Sequence, residues 1–323
     1  MSRNRIKIII TAIVIIFILR YIFIFSYAPE ILFNAAENGD IATIKHLIMF
    51  GINLDVKNKT GNTALIVATD NNHIDVVELL INKGANLNIM SKYGSDALSS
   101  AILLEREKIV ELLINKGADV NAHNDTGITM IMCAAITQKN NIIEMLINHG
   151  ANNINAKDNR GATALMRALD YADNEKIVEF LINKGADVNA RDENSNTALV
   201  WAAERGYEKS TALLIKNGAE INEKIRNNGS KALMMAAFKG HKKIVEMLID
   251  NGANINTILI NNGVENYTAL MLAAHNGHNK VVELLINKGA DVNIRVNSQT
   301  ALDMAKDSHQ TFTVIILEAS MKK

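Results

Sequence analysis

Eight glycines, Gly51, Gly84, Gly117, Gly150, Gly185, Gly218, Gly252 and Gly289, follow one another along this chain at steps of 33, 33, 33, 35, 33, 34 and 37 residues. Two other markers keep register with them. Upstream stands Thr-Ala-Leu, as Thr63-Ala64-Leu65, Thr163-Ala164-Leu165, Thr197-Ala198-Leu199, Thr268-Ala269-Leu270 and Thr300-Ala301-Leu302, with weaker copies at Asp96-Ala97-Leu98, Thr129-Met130-Ile131 and Lys231-Ala232-Leu233. Downstream, four residues after the glycine, stands Asn88, Asn121, Asn189, Asn222, Asn256 or Asn293; Asp55 takes the place in the first unit and Asn155 is displaced by one inserted residue. A fixed period of this length marks a stack of small units, none of which buries its apolar face alone.

Each unit reads as helix, turn, helix, glycine stop and a short extended hairpin. Thr is a good N-cap, because its hydroxyl accepts a hydrogen bond from an otherwise unpaired backbone N–H. Val76-Val77-Glu78-Leu79-Leu80-Ile81 is apolar nearly all round, as a helix held between neighbours must be. Gly84 then ends it, since glycine takes up the left-handed conformation at a helix C-terminus without penalty.

These residues resemble the ankyrin repeats. Gly185-Ala186-Asp187-Val188-Asn189 and Gly289-Ala290-Asp291-Val292-Asn293 match the end of that family's pattern in full, and Gly240-His241 and Gly277-His278 match its Gly-His turn, with Asn72-His73 matching only in its His. The likeness covers residues 28–323. It departs in one systematic way: the family's Pro after Thr is Ala or Met130, and its His becomes Ile66, Ser99, Met132, Met166, Val200, Met234, Met271 or Asp303. The expected fold class is therefore all-α, an ankyrin-repeat solenoid of paired antiparallel helices, preceded by one N-terminal transmembrane helix. The expected domains are that helix, 1–28, and a repeat domain, 29–323, in nine units: 29–60, 61–93, 94–126, 127–160, 161–194, 195–228, 229–265, 266–297 and 298–323. The last unit has a degenerate second helix, Thr313-Val314-Ile315-Ile316-Leu317, and suits a solvent-facing cap. Two places break the rhythm. Ser210-Thr211-Ala212 replaces Val-Val-Glu, and the hairpin after Gly252 is lengthened through Asn262-Gly263, a tight-turn signal.

The transmembrane expectation rests on residues 6–28, apolar apart from Lys7 and Arg20. As a helix, these residues reach about 34 Å, enough for a bilayer core about 30 Å thick. Arg3, Arg5 and Lys7 then keep the N-terminus cytoplasmic and set the repeats on the far side. A cleaved secretory signal ending at Ser26-Tyr27-Ala28, which makes the protein a secreted effector binding a host protein, is the alternative, and a buried core helix is a third reading. In this respect the chain resembles the membrane-anchored ankyrin repeat proteins of intracellular bacteria.

Lysine plus arginine equal aspartate plus glutamate at 34 each, so no global field selects nucleic acid or anionic lipid. The chain carries no phosphate-binding glycine loop and no His-Glu-x-x-His. His73, His241 and His278 recur at one register, which points to a structural role in the turn and away from metal. Glu78, Glu111, Glu144, Glu179, Glu246 and Glu283 occupy one register on successive helices and read as a row that is solvated or paired between repeats. No catalytic residue, metal ligand, cofactor or small-molecule substrate is expected, and the chain is read as no enzyme. The resemblance implies a protein partner, held on a concave surface of hairpin tips and exposed first-helix positions. By register those positions are Tyr93, Leu103, Leu104, Ile128, Ile136, Tyr171, Arg205, Phe238, Tyr267 and His275. Aromatic and Arg side chains are the types that anchor protein interfaces.

Overall fold

The computed structural model describes residues 3–22, 26–222, 231–258 and 267–322, leaving aside the side chains of 3–10 and 20. The chain divides into two compact units, Met1–Asn153 and Ile154–Lys323. Both are all-helical: the described residues contain no strand, only the isolated bridges His123–Thr129 and Val296–Gln299. The lengthened hairpin around Asn262-Gly263 lies outside the described residues.

The first unit opens with α1 (Arg3–Ile22) and continues in four helix pairs: α2 (Ala28–Asn38) with α3 (Ile41–Met49), α4 (Ala64–Asp70) with α5 (Ile74–Asn82), α6 (Ala97–Leu103) with α7 (Glu107–Asn115), and α8 (Met130–Ile136) with α9 (Asn140–Asn148). The second holds five pairs: α10 (Ala164–Arg167) with α11 (Glu175–Asn183), α12 (Ala198–Arg205) with α13 (Glu208–Lys216), α14 (Lys231–Lys239) with α15 (Lys242–Asp250), α16 (Ala269–His275) with α17 (Asn279–Asn287), and α18 (Ala301–Asp307) with α19 (Thr311–Ser320). Within each unit, first helices pack on first helices and second helices on second helices. The core is thus a continuous seam of Ala, Leu, Ile and Val, with Leu65, Val77, Leu80, Leu98, Val110 and Leu113 at 0–1% exposure in the first unit. Each such side chain contributes about 1.5–3 kcal/mol on burial.

The membrane expectation does not hold: among the described residues no helix is long and apolar enough to cross a membrane. The reason lies in where the charges fall. Arg3, Arg5 and Lys7 occupy the first turns of α1 and Arg20 its last, leaving 12 uncharged residues between Lys7 and Arg20. At the helical rise these reach about 18 Å, well short of a bilayer core of about 30 Å. Part of the expected span, residues 23–25, lies outside the described residues, and Ala28 is buried in the first repeat helix, with Pro29 in its first turn. The orientation built on that anchor falls with it.

Local signals explain the pairs. The hydroxyls of Thr63, Thr129, Thr197, Thr268 and Thr300 accept the N–H of the residue three further on, at 3.2–3.5 Å, and Asp96 does the same for Ser99 at 2.7 Å in a capping box. Each cap of this kind contributes about 1 kcal/mol. Thr163 is the exception: its buried Oγ1 has no partner. Helix α10 is only four residues long, and the chain beyond it continues in the tighter bonds Leu169 N–H to Met166 O and Asp170 N–H to Arg167 O. Every second helix except α19 ends as α5 does. Gly84, at φ +87°, donates to Ile81 O at 3.0 Å, and Ala85 donates to Leu80 O at 3.0 Å. This pair of bonds satisfies the last carbonyls of the helix.

The recurrent Asn is a staple between consecutive repeats. Asn189 Oδ1 accepts the N–H of Glu220 at 2.8 Å, and its Nδ2 donates to Gly218 O at 3.1 Å. Asn121, Asn155, Asn222 and Asn256 make the same two bonds to the repeat that follows each of them. Asp55 makes only the first, accepting from Asn86 N–H at 2.9 Å. The histidines of the turn reach the other way. His73, His241 and His278 set Nε2 on the carbonyls of Glu37, Glu204 and Phe238 at 2.8–3.1 Å, each on the preceding first helix.

Candidate partner-binding face

In the first unit the hairpins and the C-terminal ends of first helices form one face. Leu103 ends α6, Leu104 caps it, and Ile136 ends α8. Ile128 stands just before the capping Thr129, in a hairpin that Asn124 holds by accepting the N–H groups of Thr126 and Ile128 at 3.0 and 2.9 Å. The preceding hairpin is built alike: Ser91 Oγ accepts from Tyr93 and Ser95, at 3.2 and 3.1 Å.

These elements bring Leu103, Ile128 and Ile136 together around a pocket of about 60 Å³, whose floor includes Met90, Ser99 and Cys133. Tyr93 and Leu104 lie outside the lining and stay exposed, at 73% and 43%. Cys133 is itself buried, and burial, with the Asp96 carboxylate second, pushes its thiol up to about 12. Such a thiol is a small apolar wall, not a nucleophile. The site offers shape and apolar surface, and Glu105, directly after Leu104, pairs with Lys139 at 3.0 Å.

In the second unit the candidates are not gathered in this way. Tyr171 is 77% exposed in the loop after α10. Arg205 is engaged twice, with its guanidinium 4.5 Å over the Trp201 ring and 3.4 Å from Asp170. Phe238 is half-buried, with Lys239 5.3 Å from its ring centre. Tyr267 is half-buried beside the undescribed segment 259–266. His275 is exposed, its Nδ1 2.6 Å from Ser308 Oγ.

One cluster in this unit escaped the sequence reading. Arg167 on α10 reaches Asp158 through Nε at 2.9 Å and through Nη2, and Asp170 through Nη1 at 3.0 Å. Asp170 passes the link to Arg205, and Trp201 Nε1 donates to Asp192 at 3.0 Å. The Asp158 side chain is 1% exposed, and its Oδ1 accepts the N–H groups of Arg160 and Ala162, so the same carboxylate holds the hairpin and the helix. The sequence signal was an Arg nine residues after the hairpin Asp, where Asp192 repeats the Asp but the Arg register holds Val67, Ser100, Cys133 and Trp201. Among the described residues no three His, Cys, Asp or Glu side chains group so as to hold a metal ion. The glutamates of the recurrent row are all exposed on second helices.

Residues 32–124, 118–192 and 190–258 match the family model for ankyrin repeats in three copies, and residues 265–297 match that for the single ankyrin repeat. The chain belongs to the ankyrin repeat family. No curated protein matches it. Among solved structures it is similar to one chain of a complex between a predatory endopeptidase from Bdellovibrio bacteriovorus and an immunity protein, with 32% identity, 58% of this chain and 97% of that chain covered, and a TM-score of 0.53.

Proposed function

We propose that this chain is a non-catalytic scaffold that binds a partner protein, and that contact centres on the first unit, where Leu103, Ile128 and Ile136 line a pocket between two repeats. That juxtaposition carries the reading. Apolar side chains stand around a shallow pocket at positions where a purely solvated face would be polar, with Tyr93 and Leu104 exposed alongside. An apolar anchor from a partner, flanked by aromatic contact, is the arrangement that concentrates binding energy. Family membership supports a protein partner, and the similar Bdellovibrio structure is itself a protein–protein complex. The second unit, where Arg205 is paired and His275 rests on Ser308, offers less free contact surface.

The test is to identify the partner by proximity labelling and then measure its affinity for point variants. Leu103→Asp and Ile136→Asp should each weaken binding by about 2 kcal/mol or more, the loss typical of an interface anchor, with helicity unchanged. Tyr171→Asp and Phe238→Asp should leave it within a few-fold. The reverse pattern would move the site to the second unit and reject the proposal.

A further inference from the structure

Every residue that lines the pocket beside α6 and α8 is uncharged. A charged side chain entering it would give up its hydration with no counter-charge in the wall. The polar atoms of the wall are committed to the chain itself. Ser99 Oγ accepts the N–H of Asp96 at 2.9 Å and donates to Asp96 O at 3.2 Å. Asn124 Oδ1 accepts the N–H groups of Thr126 and Ile128 and, at 2.7 Å, the Thr126 hydroxyl. Among the described residues, no buried side-chain nitrogen or oxygen of the lining lacks a partner. The wall therefore holds no orphan polar atom for an incoming hydroxyl or amide to satisfy. Size removes the rings. An aromatic ring enclosed in a protein fills a cavity of about 150 Å³, against about 60 Å³ here. Cys133, at 3% exposure, closes the floor, so a long straight chain finds no channel beyond it.

We infer that this pocket takes the aliphatic end of a leucine or isoleucine side chain of the partner protein, to the exclusion of aromatic, charged and straight-chain groups. The inference rests on the partner-binding reading of the same face and adds the chemistry of the occupant. Charge, polarity and size each remove a class, and a short, neutral, apolar group is what remains. In proportion to the ring, the pocket encloses about two to three carbons, the branched tip of such a side chain. Leu103, Ile128 and Ile136 meet that tip with methyl groups. Met90 and Met130 complete the wall, and thioether side chains adapt to an irregular gap. Tyr93 and Leu104 stand exposed outside the lining. They enclose no volume, so they add contact area without choosing between side chains. The choice belongs to the pocket, where a difference of one methylene changes binding by about ten-fold or more.

The experiment titrates the methyl-labelled full chain with the N-acetyl amides of leucine, phenylalanine, alanine and glutamate, and with octanoate, and follows the methyl resonances of Leu103, Ile128 and Met130. The leucine amide should bind about ten-fold more tightly than the alanine or phenylalanine amide. The glutamate amide and octanoate should leave the resonances in place. Ile136→Ala cuts one wall side chain back to a methyl group and should reverse the order in favour of phenylalanine, with the circular dichroism spectrum unchanged. A phenylalanine amide or octanoate that binds the wild type as tightly as the leucine amide would overturn the inference. So would an unchanged order in Ile136→Ala, or resonances that respond to no amide. Failure of the partner-binding reading looks different: the partner would then keep its affinity for Leu103→Asp and Ile136→Asp. A face that loses its partner in those variants yet prefers phenylalanine keeps that reading and rejects only the aliphatic assignment.

Discussion

The ring of His278 lies where a side chain on Gly240 would have to be: a Cβ built there meets His278 Nδ1 at 2.6 Å. Gly240 sits at φ +79°, and His278 uses the approach to set Nε2 on Phe238 O at 2.9 Å. Gly39 with His73 and Gly206 with His241 repeat the relationship. The period glycines differ: a Cβ on Gly252, at φ +92°, meets nothing within 4 Å. Gly252→Ala should therefore cost only the left-handed penalty, about 1–2 kcal/mol. Gly240→Ala should cost about 1 kcal/mol more, because His278 must leave its carbonyl. Urea unfolding of both variants measures the gap. Combining each with His278→Ala should remove it, because the extra cost belongs to the pair.

The Asn staple divides into a donor and an acceptor half. Asn189→Asp keeps the acceptor for Glu220 N–H and loses the donor to Gly218 O, so it should cost about 1 kcal/mol; Asn189→Ala loses both and should cost about 2. The first repeat supplies the converse. Asp55 accepts from Asn86 but, as a carboxylate, donates nothing. Asp55→Asn should raise stability by about 0.5–1 kcal/mol through the missing bond to Gly84 O. Thermal melts of the three variants decide this, and a loss for Asp55→Asn would show that the staple does not carry the stacking.

What sequence alone revealed of this fold was what the chain encodes locally. Thr197 caps α12 and Gly84 ends α5 through bonds spanning three to five residues, so spacing exposes both. The purpose of Asn189 was hidden, because its partners sit in the next repeat, and no pattern within one unit distinguishes a staple from a turn residue. The link from Asp170 to Arg205 was hidden for the same reason. The apolar count of residues 6–28 outweighed the positions of Lys7 and Arg20, and it is the distance between those charges that limits the span. Of the candidate binding residues, register placed Leu103, Ile128 and Ile136 on one face, but only packing reveals the pocket they share.

Asp96 stands where six other repeats carry Thr, buried at 1% exposure. Burial raises its carboxyl above the ordinary value, with the Asp119 charge adding to the effect and the bonds from Ser99 opposing it. A raised acid binds its proton more tightly in the folded state. Its contribution is therefore fully present below the unfolded value near 3.8 and is lost as pH rises through the higher folded value. At neutral pH the group is thus a burden. Asp96→Thr keeps a capping oxygen without the charge and should raise the melting temperature by about 4 °C at pH 7, the equivalent of roughly 1 kcal/mol. The advantage should shrink toward zero as pH falls to about 4. A gain independent of pH would assign the effect to packing instead.

Cys133 joins the pocket to the core, and its chemistry reports whether that pocket opens. With its thiol pushed up to about 12, against 9.0 for the ordinary value, the native chain at pH 8 holds about a thousandfold less thiolate than the unfolded chain. At 3% exposure the sulfur also has little direct contact with solvent. A disulfide reagent should therefore label Cys133 only through opening of the α8 region, at a rate that rises with urea in step with local unfolding. Rapid labelling in native buffer would mean that the floor between Leu103, Ile128 and Ile136 parts without unfolding, and that the face presented to a partner is deeper than about 60 Å³.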